Sequence, residues 1–480
     1  MTLQNVLFLA WLLNRSNVRM KSIFVVLFTV PMLIPSISHG MGLVQLFGDN
    51  GLVTNLLGWN IGLYGYKGII MGSVLYSFPV AFLMFHDSFQ YEDFTVYEAA
   101  GVLGLSKWHQ FLTITLPSMQ RTIVSAVLAV FTMIFTDYGV PLMTGGTAMT
   151  LPVYMYREVI GMMNFSGGAV VGVILLLPAV AAFLMDLRNS GISESGSTVT
   201  KAYQIEKNTA RDLAVYVIFA AVLLALCLPV LAFVLISFVK QYPIDMSLSL
   251  NTLYKLLSGG MGMYFINSLA IALLTSLVGT CLSYFAAFIT ARSGRRVAGK
   301  VLHFISMLPL AIPGIVLGLS FVLSFQGMPL YGTIFILVIV NIVHFFASPY
   351  LLAYNSLSKF NPNLEDVAES LGISRLRMLW NVYIPSTRST IVEMYSYYFV
   401  NAMITISAVS FLFNFRTMPL SLLIPQLEAQ SFIEGTAMVS LMILAVNLLE
   451  KGIAFAVKSA IEREDKQKGI VLEPSGQDMA

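Results

Sequence analysis

This chain is short of charge. Asp, Glu, Lys and Arg make up 11% of its 480 residues, against about 25% in a typical soluble domain. Hydrophobic residues reach 57% and the mean hydropathy is +0.80. Such a chain cannot stay dissolved as a globular domain, so it is a polytopic membrane protein. Cysteine is nearly missing too. Cys227 and Cys281 both lie inside apolar runs and read as small lipid- or core-facing residues, with no disulfide framework or metal set to be built from them. The net charge is only +3, and the basic residues are scattered through short loops, which argues against nucleic acid as a partner. There is no GxxxxGK[ST] phosphate loop, no HExxH, no pair of intramembrane aspartates and no GxSxG near a histidine. A membrane-embedded enzyme would need one of these sets, and none is at hand.

What the chain does have is a pair of polar stretches in greasy surroundings. Glu98 to Pro117 reads EAAGVLGLSKWHQFLTITLP, and Asp366 to Pro385 reads DVAESLGISRLRMLWNVYIP. Each places a Gly six residues after the acid and a Pro thirteen after the Gly, and the two copies stand 268 positions apart. The spacing predicts a short helix over Tyr97–Leu103, closed by Gly104 as a left-handed cap. Ser106 then caps a second helix carrying Lys107, Trp108, His109, Phe111 and Leu112, a basic and aromatic face suited to a protein groove. Pro117 opens the next span. Gly372, Ser374, Arg375, Arg377, Trp380 and Pro385 occupy the equivalent places. Two ordinary amphipathic surface loops would not share Gly, Ser and Pro at one offset.

Taken in order, Leu3–Leu13 is apolar but shorter than the roughly 20 residues a membrane helix needs. Spans are expected at about 22–47, 64–85, 122–143, 167–187, 213–239, 265–290, 301–324, 333–354, 390–413 and 437–457. Pro31 and Pro35 in the first are matched by Pro309 and Pro313 in the seventh, with Arg15 and Arg292 standing ahead of them, so paired kinks are expected in two repeats. Residues 1–188 form the first repeat and 189–212, rich in Ser, Thr, Gly and both charge signs, a linker. The second repeat covers 213–458, and a charged tail expected to fray covers 459–480. Six spans between the polar stretches put both on one side. The basic residues Arg15, Arg19, Lys21, Lys107, Arg121, Arg292, Arg295, Arg296, Lys300, Arg375 and Arg377 make that side the cytoplasm.

The first polar stretch resembles the EAA loop of the integral-membrane subunits of binding-protein-dependent ABC importers. Glu98, Ala99, Ala100, Gly104, Ile114, Leu116 and Pro117 meet each fixed position of that pattern. The resemblance implies an all-α fold of two parallel type I permease repeats, about five to six transmembrane helices each, in one double-length chain. The main departure from the family pattern is that the first repeat has only Leu3–Leu13 ahead of its proline-kinked span, so it is expected either to be shortened at its N-terminus or to have its true start further upstream. It further implies residence in the inner (plasma) membrane of a prokaryote and two copies of a separate ATPase subunit docked on the two loops. Those subunits would bind the ATP, the chain itself holding no cofactor and no metal, and an external substrate-binding protein would deliver the cargo. The run Leu257–Gly260 looks like an ABC ATPase signature but falls in an external loop. Asp366 in place of Glu98, with Ala368 matching Ala100, suggests that the two loops are unequal. A secondary transporter or channel would account for the spans but not for the doubled loops.

Cargo is read from less. Thr136 to Pro141, followed by Gly145 and Gly146, and IPSISHG at Ile34–Gly40 resemble permeases for 2-aminoethylphosphonate, ferric iron and polyamines, in that order of preference. Asp137, with Tyr138, could meet an ammonium group on the cargo, or could cap a helix end. Asn401 and Thr405, in the matching span, could line the path. Asn341 and His344, three apart, are expected to satisfy each other. Tyr395, Tyr397 and Tyr398 read as packing aromatics.

Overall fold

With no water in the bilayer core to satisfy N–H and C=O groups, apolar runs of this length have to become helices. In the computed structural model, which describes residues 2–190, 201, 203–292, 296–361 and 363–467, they do so almost throughout. The strands among the described residues form one antiparallel hairpin, Val239–Gln241 with Asp245–Leu248. Five helices are long and apolar enough to cross a membrane unbroken: Tyr66–Gln90, Phe165–Asn189, Thr209–Ser237, Met261–Arg292 and Ile433–Asp465. Four more candidates are bent pairs, which brings the count to nine among the described residues. The tenth expected span is the 17-residue helix Arg388–Ile404.

The proline pairs break their helices outright. Lys21–Leu33 and Ser36–Leu57 meet at 95°, and Val297–Ala311 and Gly314–Phe325 at 106°. Pro35 and Pro313 are extended at ψ 150° and 136°, and proline pushes the residue before it, Ile34 or Ile312, out of the helical region as well. Three further breaks were not expected. The span at 333–354 bends by 53° between Ile334–Phe345 and Ala347–Ser358, where Pro349 has no N–H for the carbonyl of Phe345 and its ring crowds that oxygen. The spans at 122–143 and 390–413 end early, at Thr136 and Ile404, each followed by an extended residue, Asp137 or Thr405.

The chain packs into two compact units. Among the described residues, one takes those up to Tyr154 together with those of Leu177–Phe233; the other takes Met155–Leu176 and those from Val234 to Gln467. In the first, Phe28 meets Phe78, Phe82 and Phe219 edge-on at 5.8, 5.1 and 5.5 Å. This geometry suits the ring quadrupoles and fills the core with large side chains. Phe219 comes from Thr209–Ser237, the helix that opens the second half of the sequence, and Val6, Leu9 and Leu13 of the short helix Thr2–Asn14 complete the cluster. In the second unit, Tyr284, Ala287, Tyr350, Ala353 and Leu357 pack with Ala368, Met378, Leu379 and Tyr383 of the second polar stretch. Packing therefore cuts the chain at places other than the repeat boundaries read from sequence.

Each unit holds its broken helix by a serine set against a glycine, with the roles exchanged. A Cβ on Gly139 would strike Ser36 Oγ and stand 2.7 Å from the Ile37 nitrogen; one on Gly314 would strike Ser407 Oγ and stand 3.0 Å from His344 Nε2. Gly314→Ala should therefore destabilise the folded protein by about 1–3 kcal/mol through overpacking, and Ser407→Gly added to it should recover most of the loss. Thermal unfolding in detergent of the single and double variants checks this; a double variant no better than the single would show the clash to lie elsewhere.

The charged tail does not fray at its start. Helix Ile433–Gln467 runs into it, tied by Lys458 to Glu393 and by Arg388 to Glu464 at 3.1 Å and Asp465 at 2.7 Å. The remainder of that tail, residues 191–200 of the linker, and Arg295 lie outside the described residues.

Candidate functional site

Both polar stretches fold as the same elbow. Helix Phe94–Val102 closes with Gly104 N–H donating to Gly101 O at 3.0 Å and Leu105 N–H to Ala100 O at 3.1 Å, with Gly104 at φ +74°. Helix Leu364–Ser370 closes with Gly372 N–H to Glu369 O at 3.0 Å and Ile373 N–H to Ala368 O at 2.8 Å, Gly372 at φ +67°. This is the Schellman pattern, which spends otherwise orphaned carbonyls and requires a left-handed residue at the turn. Ala100 and Ala368, whose carbonyls it uses, are the buried members. Ser106 Oγ then accepts from His109 N–H and Ser374 Oγ from Arg377 N–H, both at 3.3 Å. Each short helix, Lys107–Gln110 or Arg375–Met378, passes through a π turn, Phe111–Thr115 or Leu379–Tyr383, before Pro117 or Pro385. The wider turn accommodates a proline that has no N–H for the helical ladder.

Glu98, Ala99, Gly104, Ser106, Lys107, Trp108 and Pro117 are exposed, as are Asp366, Gly372, Ser374, Arg375 and Pro385. With them each elbow presents an apolar knob to the surroundings: Val102, Leu103 and Trp108 on the first, Leu371, Leu376 and Trp380 on the second. Rigid, exposed aromatic and aliphatic side chains beside Lys107 or Arg375 and Arg377 are the make-up of a protein docking surface.

Beneath the knobs lie the two arginines that stand ahead of the proline pairs. Arg15, just past helix Thr2–Asn14, forms a buried ion pair with Glu92. Tyr97 OH donates to the same carboxylate at 3.0 Å and is 2.8 Å from Thr115 Oγ1 in the π turn. At the second elbow, Arg292, the last residue of Met261–Arg292, donates to Glu365 at 2.6 Å, and Tyr383 OH joins that carboxylate at 2.5 Å. Burial pushes both tyrosine hydroxyls up to about 12, so they stay neutral donors. Burial also raises Glu92, against the pull of Arg15, whereas for Glu365 the bonds from Arg292 and Tyr383 together outweigh burial and hold the carboxyl below its ordinary value. The sequence signal was there, a lone arginine at the end of an apolar run ahead of each proline pair, but its partner could not be read.

The two elbows differ in cover. Lys201 pairs with Glu98, its carbonyl accepts from Phe94 N–H at 2.9 Å, and Glu206 pairs with Lys107 at 2.8 Å. Tyr203 lies edge-on to Phe94 and Tyr97, with the Arg15 guanidinium 3.2 Å above its ring. The linker thus straps the first elbow, while among the described residues no cation pairs with Asp366. Exposed ion pairs contribute little, so Tyr203 is expected to hold most of the strap. Tyr203→Ala should raise amide exchange at Phe94 about tenfold through loss of the cation–π contact, and added salt should do less. Unchanged exchange would remove the strap from the account.

The residues expected along a solute path are held by local hydrogen bonds and packing. Asp137 accepts from Gly139 N–H at 3.2 Å and Val140 N–H at 3.0 Å, capping the short helix Gly139–Thr144; Tyr138 is buried beside it. Asn401 donates to Tyr397 O at 2.8 Å and Thr405 to Asn401 O at 2.5 Å, so both spend their donors on their own helix. Asn341 and His344 do not satisfy each other: Asn341 donates to Leu337 O at 2.7 Å, and the His344 ring lies against Phe345 at 4.5 Å. Tyr397 OH is 3.1 Å from Ser348 Oγ, and Tyr398 covers Gly279, as packing aromatics would. Among the described residues, no three His, Cys, Asp or Glu side chains gather as a metal site.

Residues 7–192 and 279–462 each match the model of the binding-protein-dependent transport system inner membrane component, and each match contains one elbow. The chain belongs to this family. As a member it is an inner-membrane, multi-pass, all-α protein with two family repeats in one chain, and helix Thr209–Ser237 falls between the two matches. It is 25% identical over 402 residues to the ferric transport system permease protein FbpB of Actinobacillus pleuropneumoniae, covering 80% of this chain and 58% of that protein. It is 25% identical over 428 residues to a putative ferric transport system permease protein, FbpB 1, of Haemophilus influenzae, covering 84% and 67%. To the thiamine transport system permease protein ThiP of Escherichia coli it is 23% identical over 388 residues, covering 78% and 71%.

Proposed function

We propose that this chain is the membrane gate of an ATP-driven importer, moved by two copies of a separate ATPase subunit that grip its two elbows and supplied by an external binding protein. The observation that carries the reading is the repeated elbow itself, a Gly-hinged, Ser-capped helix with an exposed aromatic knob, built twice in a chain of this family. ATP is bound by the partner subunits; the chain supplies the levers. A short helix on a glycine hinge with its base packed among the spans can turn as a rigid body when a partner closes on it.

For cargo, the ferric relatives favour ferric iron over 2-aminoethylphosphonate or a polyamine, the first of which the sequence alone had ranked highest. Cargo discrimination rests mainly with the external protein. The test is reconstitution of the chain with an ATPase subunit and the binding protein in vesicles, following uptake of radiolabelled ferric ion and of 2-aminoethylphosphonate alongside ATP hydrolysis. Coupled uptake of ferric ion is expected. Uptake with no hydrolysis by any companion subunit would favour a secondary transporter or channel and overturn the reading. Preferential uptake of 2-aminoethylphosphonate would overturn only the choice of cargo.

A further inference from the structure

An elbow that turns on a glycine delivers nothing to the gate unless something stiffer than the loop joins it to a membrane helix. We propose that Arg15 and Arg292 are that join: positioning residues that fix the first elbow to the end of the short core helix Thr2–Asn14 and the second to the end of the span Met261–Arg292, so that rotation imposed on the elbow reaches the helix and is not absorbed by the hinge. The proposal rests on the reading under Proposed function and adds to it the parts that carry the load.

The same device appears at both elbows with its acid and its tyrosine drawn from positions that do not correspond. At the 268-residue offset Tyr97 matches Glu365 and Thr115 matches Tyr383. The first elbow therefore takes its tyrosine from the helix before the glycine and its acid from the preceding loop. The second takes its acid from that helix and its tyrosine from the π turn. Both arrangements nonetheless set an arginine against a carboxylate that a tyrosine also holds. The guanidinium carbon lies 5.3 Å from the Tyr97 ring in one and 5.4 Å from the Tyr383 ring in the other. A residue retained by shared descent would keep its position; a geometry reached with its parts exchanged is one that the elbow requires.

The chemistry fits a mechanical tie better than a store of stability. Desolvating two charges offsets most of what their attraction returns, so a buried pair contributes little net stability but holds one register firmly. Arg292 also donates to the carbonyls of Phe360 at 3.1 Å and Asn361 at 2.8 Å, so its planar fork grips backbone and carboxylate of the elbow together. Lysine, a point charge on a flexible stem, could hold the carboxylate but not the two carbonyls with it.

The test measures solute uptake and ATP hydrolysis on the same reconstituted complex. In Arg292→Met the ATPase is expected to remain bound and active while uptake per ATP falls about tenfold, within the usual range of coupling between sites. Arg292→Lys should recover part of that loss, and Arg15→Met should lower the ratio in the same way at the first elbow. A folded Arg292→Met with an unchanged ratio, or a lysine variant no better than the methionine one, overturns the proposal. Should Arg292→Met not fold, Glu365→Gln keeps the shape of the site and is expected to lower the ratio in the same direction; an unchanged ratio there is equally fatal. If the unaltered chain binds no ATPase, the reading it rests on fails first and visibly.

Discussion

Gly372→Val is expected to remove most ATP-driven uptake, and Gly104→Val to remove distinctly less. Both glycines sit in the left-handed region, at φ +67° and +74°, where nothing lies within 4 Å of an added Cβ. The cost is thus carried by the backbone alone. An L-residue pays about 1–2 kcal/mol in that conformation, and a β-branched one has the fewest rotamers to spare. Relaxing the strain means giving up the bonds from residues 104 and 105, or 372 and 373, that close the helix, and with them the angle of the elbow. At the first elbow the linker stands in the way, since Tyr203 packs against Phe94 and Tyr97 independently of Gly104, with the Lys201–Glu98 and Glu206–Lys107 pairs adding little. The second has no such strap among the described residues. Uptake and ATPase co-purification for each variant decide the matter. Equal losses would show that the strap does not brace the first elbow and that the exchange of Glu98 for Asp366 carries no inequality either.

Asp137→Ala should be far more damaging than Asp137→Asn. The carboxylate caps the helix Gly139–Thr144 where it follows the break at Thr136, accepting from two backbone N–H groups. Alanine leaves both donors buried and unpaired, at about 1–3 kcal/mol each, beside the tight contact of Gly139 with Ser36. Asparagine keeps one acceptor oxygen, so it gives up the charge and leaves one of the two donors unpaired where alanine leaves both. A folded Asp137→Asn protein that transports nearly as well as the original would make this residue a cap. If both variants fold and both lose uptake alike, the charge itself meets the cargo. Thermal stability and uptake, measured together, separate the two.

The elbows were legible because their determinants are local. A left-handed glycine, a capping serine and a proline act within a few residues of themselves, and their spacing survives in the string of letters. The breaks at Pro31–Pro35 and Pro309–Pro313 were legible for the same reason, though not their sharpness. The break at Pro349 and the early ends at Thr136 and Ile404 were missed because unbroken hydrophobicity concealed them. A run can stay apolar while its backbone leaves the helix, provided a side chain such as Asp137 satisfies the freed groups. The clamps were missed for a different reason. Arg15 with Glu92 and Arg292 with Glu365 join residues more than seventy positions apart, and the exchanged acid and tyrosine hide the likeness from any comparison of the repeats by position.

By itself, the amino-acid order determined that this is a membrane protein of repeated helical halves bearing two matched elbows, because composition, periodicity and turn chemistry are properties of neighbours along the chain. Only the tertiary structure decided which helices share a core, which elbow the linker covers, and which arginine holds each elbow. Those are matters of which distant groups meet when charge is taken out of water, and a buried guanidinium is satisfied by whatever carboxylate and hydroxyl the fold brings to it.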